Sequence, residues 1–235
     1  HTKKGRKQQQ KFLIEGTHLI EEALKENETV LEIIIVDSQS LPKNWGEKQI
    51  PVRVVTNQVF KVLSETENSQ GVIAVCRKRT FSESFRREPG KYLLVDSVQD
   101  PGNVGTIIRT ADSAGFDAVI LGKGTVDPFN SKVIRATQGS LFHIPIIERR
   151  LEGVIDELKQ NDVTIYGTAL RGAEDYRHVS GTNRSFALLI GNEGQGVAEH
   201  LLERCDRKLS IPVYGKAESL NVAVAAGILM YALRG

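Results

Sequence analysis

Three loops in this 235-residue chain set polar side chains at the ends of short apolar strands, where a sheet can present them to a ligand. The first runs Asp100-Pro101-Gly102-Asn103-Val104-Gly105-Thr106-Ile107-Ile108-Arg109-Thr110. A tight Pro-Gly turn leads into a helix for which Asn103 suits the N-cap. Arg109 falls off the apolar stripe of that helix and can reach back towards the strand ends. The second loop, Gly191-Asn192-Glu193-Gly194-Gln195-Gly196, follows the buried run Leu188–Ile190. Glycines there let backbone approach a ligand closely, because no Cβ intervenes. Its GxxGxG spacing matches neither the dinucleotide fingerprint nor a Walker loop. The third loop runs from Ile211-Pro212 through Lys216, Glu218 and Ser219 to Asn221, and Ser219 is read as the start of an almost wholly apolar helix. Taken singly, Arg109 also reads as a surface arginine, Asn103 as a mere cap, and the glycine loop as a plain strand-to-helix turn.

The elements that must position these loops fall into two segments. In the first, an apolar run at Phe12–Glu15 precedes a helix opened by Gly16 and Thr17, with Leu19, Ile20, Ala23 and Leu24 at helical spacing. Strands are expected at Val30–Val36, Val52–Val55 and Gly71–Cys76, with Thr56 capping a helix through Val59, Phe60 and Leu63. A basic, Pro-Gly-punctuated stretch from Arg77 to Gly90 reads as a linker. The second segment has candidate strands at Tyr92–Val95, Ala118–Leu121, Ile144–Ile147, Val163–Thr168, Phe186–Ile190 and Lys208–Ile211. Helices are expected near Asn103, Pro128, Leu151, Gly196 and Ser219. This alternation argues for an α/β fold with a mainly parallel sheet, whose ligand site lies beyond the carboxyl ends of the strands.

The last helix is unusual. Val222 to Leu233 carries no charge, so both of its faces need cover. One face can lie on the sheet; the other suits a twofold dimer, or a second layer of the same chain. Leu229 is assigned to that dimer seam.

Apolar residues make up 40% and charged residues 26%, as in an ordinary globular protein. No apolar stretch approaches the roughly 20 residues that span a bilayer. No secretory leader opens the chain, which is read as lacking its native start because it begins at His1 and its one methionine is Met230. Two distant cysteines, Cys76 and Cys205, exclude a disulfide framework and fit a cytoplasmic location. The five histidines lack zinc-site spacing, so no metal is expected, and the absence of GxSxG argues against a hydrolase of that type. The net charge of +2 is uneven. Residues 1–87 hold 15 Lys/Arg against 11 Asp/Glu, and the acid-free run His1–Lys11 carries five lysines and arginines. Such blocks attract a polyanion, although they also serve as solvated surface.

Together, NVGTIIRTADSAGF, LLIGNEGQGV and IPVYGKAESLNVAVAAGILMY, in that order, resemble the three motifs of the SpoU (TrmH-type) RNA 2′-O-ribose methyltransferases of the SPOUT superfamily. The resemblance covers residues 88–235. Residues 1–87 are similar to the small substrate-binding domain that precedes many members, itself akin to kink-turn-binding ribosomal proteins. The resemblance implies a trefoil knot in the C-terminal domain, S-adenosylmethionine as cofactor, and a homodimer formed through the last helix. It implies cofactor contacts from Gly191, Ile211 and Leu220, with Thr168, Ala169 and Leu170 around the adenosine. Arg109 matches the family arginine beside the reacting hydroxyl. Asn103, Glu193, Ser219 and Asn221 match the remaining polar positions, the first two orienting Arg109 or the ribose.

The expected reaction needs proximity, in-line alignment and help for a developing alkoxide. A guanidinium keeps its proton, so Arg109 suits stabilisation of charge better than proton abstraction. RNA is the expected partner, ribosomal RNA ahead of transfer RNA. A non-catalytic RNA-binding or ribosome-assembly factor is one alternative. A doubly wound oxidoreductase is another, but it lacks its GxGxxG after the first strand.

Overall fold

The computed structural model describes residues 2–26, 29–43, 45, 49–79, 81, 90–179 and 185–234. In chain order the helices are α1 (Lys3–Gln9), α2 (Thr17–Lys25), α3 (Asn57–Leu63), α4 (Pro101–Ser113), α5 (Ser131–Thr137), α6 (Ser140–His143), α7 (Leu151–Gln160), α8 (Glu199–Leu202) and α9 (Val222–Arg234). The strands are β1 (Lys11–Glu15), β2 (Val30–Val36), β3 (Val52–Val55), β4 (Val72–Arg77), β5 (Lys91–Val95), β6 (Ala118–Leu121), β7 (Ile146–Glu148), β8 (Thr164–Thr168), β9 (Glu174–Asp175), β10 (Phe186–Ile190) and β11 (Arg207–Ser210).

They form two sheets. The first is mixed, in the order β1-β4-β2-β3, and the second has seven strands, β7-β6-β5-β10-β8-β11-β9, all parallel. The central strands β5 and β10 are buried throughout except at Lys91, as a parallel sheet covered on both faces demands. On one face α4 and α9 bury Val104, Ile107, Ile108, Ala111, Ala226, Leu229 and Met230 against Leu93, Val95, Leu188 and Ile190. On the other, α7 and α8 bury Val154, Ile155, Leu158, Leu201 and Leu202 against Leu94, Ile120, Ala187 and Leu189. Each fully buried aliphatic side chain contributes about 1.5–3 kcal/mol relative to exposure, so this core holds the strand ends in place.

The expected acid-free tail is a helix. α1 has no apolar stripe, and no periodicity announces it. Thr2 caps it by accepting from the Gly5 amide, and Arg6 anchors it to Asp127 with Nη2 and Nε at 2.7 and 3.1 Å from one carboxylate oxygen. Lys3, Lys4 and Lys7 are left without an ion pair among the described residues. The two sheets are joined by a common cluster in which Phe12, Ile14 and Leu19 meet Ile134, Leu141 and Phe142. The Phe12 and Phe129 rings lie 4.7 Å apart, with Lys78 Nζ 4.2 Å above Phe129. His143 spans the join, its two ring nitrogens 3.0 Å from Asp112 and from Glu22. Most of the expected linker, residue 80 and residues 82–89, lies outside the described residues. Its start, Arg77–Arg79, packs on the join, with Arg79 donating to the Phe142 carbonyl at 2.9 Å.

Four expectations are corrected. Asp100, not Asn103, caps α4, because Pro101 takes the first helical position and the Asp100 carboxylate accepts from the Asn103 amide at 2.7 Å. Asn221, not Ser219, caps the last helix, accepting from Ala223 and Val224 at 2.9 and 3.3 Å. The strand expected at Ile144–Ile147 begins two residues later, because α6 runs to His143. Leu229 is 1% exposed within its own chain, in contact with the sheet, and cannot form a seam with a second copy. The uncovered face of α9 carries instead Val224 and Tyr231, each 52% exposed, with half-buried Ile228 between them.

Candidate active site

The glycine loop after β10 folds back on itself. Asn192 and Gly196 exchange two backbone hydrogen bonds of 2.9 Å, and a Cβ on Gly191 would collide with the backbone of Gly196 and Val197. Only glycine allows that approach. Asn192, which sequence reasoning does not single out, organises the turn. Its amide nitrogen donates to the Ser97 carbonyl at 2.8 Å, while its side-chain oxygen accepts from the Gly194 and Gln195 amides at 2.9 and 3.2 Å. Its one signal in sequence is an asparagine amid turn glycines, a residue type that bonds its own loop.

This loop forms one wall of a cleft of about 490 Å³ at the carboxyl ends of β8, β10 and β11. The other walls come from the segment after β8 and from residues 211–221. All six residues expected to touch a cofactor (Thr168, Ala169, Leu170, Gly191, Ile211 and Leu220) line it, as does Ser219. The floor is apolar, with Ile190, Leu209, Val222 and Leu229, and three carboxylates, Glu193, Glu199 and Glu218, stand on the walls. An apolar pocket of this size with a few convergent polar groups is the form small-molecule sites take. S-adenosylmethionine fits that donor set: its adenosine suits the apolar floor, its amino and sulfonium charges suit the carboxylates, and the glycine-loop backbone can come close to it.

Beside the cleft, three side chains from three loops form a directional chain. Asn221 Nδ2 donates to Asn103 Oδ1 at 3.0 Å, and Asn103 Nδ2 donates to Glu193 Oε1 at 3.0 Å. The carboxylate can only accept, so it fixes the amide of Asn103, which in turn fixes that of Asn221. Asn221 Oδ1 is thereby turned to the amides that begin α9. Partial burial works against the charge on Glu193. The Asn103 side chain and the backbone amides of Glu193, Asp100 and Gln99 outweigh it, and the pKa lies below the ordinary glutamate value. Glu193 therefore stays ionised and orients its neighbours; it is a weak base.

Arg109 does not join this chain. It is exposed on α4, six residues beyond Asn103, and its guanidinium has no partner among the described residues. Among the described residues no group of three or more His, Cys, Asp or Glu could hold a metal ion, and no helix is long and apolar enough to cross a membrane.

The model of the SpoU rRNA methylase family matches residues 90–231, and that of the MRM3-like substrate binding domain matches residues 1–74. The 23S rRNA (guanosine(2553)-2′-O)-methyltransferase RlmP of Bacillus subtilis is 50% identical over 235 residues, covering 100% of this chain and 93% of that protein. The AdoMet-bound rRNA methyltransferase from Sinorhizobium meliloti is 32% identical, with a TM-score of 0.87 over 99% of this chain and 90% of that one. The SpoU methyltransferase AviRb from Streptomyces viridochromogenes, in complex with AdoMet, is 26% identical, with a TM-score of 0.88 over 99% and 92% of the two chains.

Proposed function

The chain belongs to the SpoU rRNA methylase family, and on that footing we propose that it transfers a methyl group from S-adenosylmethionine to a ribose 2′-hydroxyl of 23S ribosomal RNA. The observation that carries this reading is the convergence of Thr168–Leu170, Gly191, Ile211 and Leu220 on one cleft, with Asn221, Asn103 and Glu193 bonded in series beside it. When bound there, S-adenosylmethionine supplies an already activated methyl group.

The remaining work belongs to this chain. The cleft walls fix the line of attack. Asn103, held at both ends by Asn221 and Glu193, orients the ribose. Ser219, on the cleft wall, positions the substrate beside it. Arg109, exposed and uncommitted, holds the adjoining phosphate and stabilises the alkoxide as the hydroxyl loses its proton. Its guanidinium stays charged throughout, so the proton leaves to solvent.

The division at residues 87 and 88 assigns the RNA grip to the part with the first sheet and catalysis to the part with the second, the two sharing one apolar cluster at their join. The unpaired Lys3, Lys4 and Lys7 on α1 support a grip on the phosphate backbone, and the kink-turn likeness of the first part agrees with it. A trefoil knot is supported by the path of the chain's end. From β11, beyond β8, the chain returns to pack α9 under β10 and against α4. A homodimer through Val224, Ile228 and Tyr231 covers the open face of α9. The cytoplasm is the compartment where such RNA and two free thiols are found.

The test is twofold. S-adenosylmethionine, but not NAD, should raise the melting temperature, and radiolabel should pass to 23S rRNA but not to transfer RNA. Label on transfer RNA alone would overturn the choice of substrate.

A further inference from the structure

An exposed aromatic ring stands at the cleft without belonging to its wall. Tyr214 is 82% exposed, whereas Val213, Ser219 and Leu220 of the same loop line the cleft. Its side chain is close enough to the Arg177 guanidinium to interact with it electrostatically, and Arg177 Nε lies 3.0 and 3.1 Å from the two oxygens of Asp175. Asp175 also accepts from the Arg177 amide at 3.0 Å, and its strand β9 pairs with β11.

The same side of the cleft carries uncommitted cations. Arg171, on the cleft wall, and Lys216, two residues beyond the ring, are exposed and form no ion pair among the described residues. The nearby acids Glu174 and Asp175 are taken up by Arg207 and Arg177, and Glu218 lines the cleft. A loop that gripped phosphate alone would need only the cations. An exposed aromatic face at a cleft whose loops carry uncommitted cations is the combination that receives single-stranded nucleic acid, where bases stack and phosphates pair.

We infer that Tyr214, exposed at the cleft on a loop that also carries Lys216, is a stacking platform for an unpaired nucleobase of the RNA next to the ribose that is methylated. The inference rests on the functional reading proposed for the cleft. A ribose can enter the edge of the cleft only if its nucleotide is splayed out of a helix, and stacking on Tyr214 replaces neighbours lost in that step.

The test measures both binding of, and steady-state methyl transfer to, 23S rRNA transcribed in vitro, using the full chain. Tyr214→Ala should raise Kd and KM for the RNA by about ten-fold or more, leaving kcat, cofactor affinity and sedimentation coefficient unchanged. Tyr214→Phe, which keeps the ring, should stay close to wild type. RNA binding and KM unchanged in Tyr214→Ala would overturn the platform while leaving the methyltransferase reading intact. A loss of cofactor affinity, or a shifted sedimentation coefficient, would overturn it by assigning the ring to the cofactor loop or to a subunit contact. Binding through Tyr214 without methyl transfer would overturn the functional reading instead. No binding of this RNA by the wild-type chain would overturn both.

Discussion

Asn221 does two things with two different atoms, so substitution can separate them. Its Oδ1 caps α9 through the amides of Ala223 and Val224, and its Nδ2 holds Asn103 at 3.0 Å. Asn221→Ala removes both. A lost cap costs about 1 kcal/mol and the lost hydrogen bond about 1 kcal/mol more. At about 2–4 °C per kcal/mol for a chain of this size, the melting temperature should fall by roughly 4–8 °C. Asn221→Asp keeps an acceptor at the helix start, where negative charge contributes about 0.3–1 kcal/mol. It cannot donate to Asn103, and faces that carbonyl with an oxygen. Stability should then remain within about 1 kcal/mol of wild type. Both variants free Asn103 from one of its two restraints, and single-turnover methyl transfer at saturating cofactor should drop about ten-fold or more in each. Thermal melts beside single-turnover rates separate the two effects. The reasoning would be refuted by Asn221→Asp transferring at the wild-type rate, or melting as low as Asn221→Ala.

Arg109→Ala should reduce methyl transfer by at least about 10²-fold with cofactor affinity unchanged by calorimetry; a parallel loss of cofactor binding would rule out a role confined to phosphate and alkoxide. Val224→Glu should abolish the proposed dimer in sedimentation velocity without lowering the stability of the subunit. Leu229→Glu should unfold the chain, because it places an unpaired charge among Ala226, Met230 and Leu188, at a cost of several kcal/mol. For His143, burial disfavours the charge, but hydrogen bonds to Asp112 and Glu22 outweigh it and its pKa is raised. A raised pKa means that its contribution is complete below the unfolded value of about 6.5 and is lost as pH rises through the folded value. His143→Gln should therefore lose stability mainly at acidic pH, and chemical denaturation at pH 5.5 and pH 8.5 should show the gap between variant and wild type closing at the higher pH.

How far these elements can be read from the chain depends on where their causes lie. Strands such as Leu188–Ile190 and helices such as α4 are set by local apolar patterning and are legible. So is the place of the cleft, because the ligand site of a parallel sheet lies beyond its strand ends, whereas the residues expected at the cofactor follow from the family resemblance. The cap of α4 could fall on either of two residues three apart, Asp100 or Asn103, and choosing Asn103 overlooks Pro101, which at the first helical position favours Asp100. α1 escapes local reading because Arg6 is held by Asp127, 121 residues away. The uniform apolar surface of α9 does not say which side meets the sheet, hence the misplacement of Leu229. The series Asn221–Asn103–Glu193 joins three loops, and Tyr214 lies close to Arg177; neither juxtaposition has a trace in local spacing.

The most direct test is transfer of radiolabelled methyl from S-adenosylmethionine to ribosomal RNA from cells lacking this protein, followed by alkaline hydrolysis. A 2′-O-methyl group blocks cleavage of the next phosphodiester bond, so the account predicts label on 23S rRNA, recovered in an alkali-resistant dinucleotide. Label recovered in mononucleotides would mean methylation of a base, and no label despite demonstrated cofactor binding would mean a protein that holds RNA without modifying it; either would contradict the account.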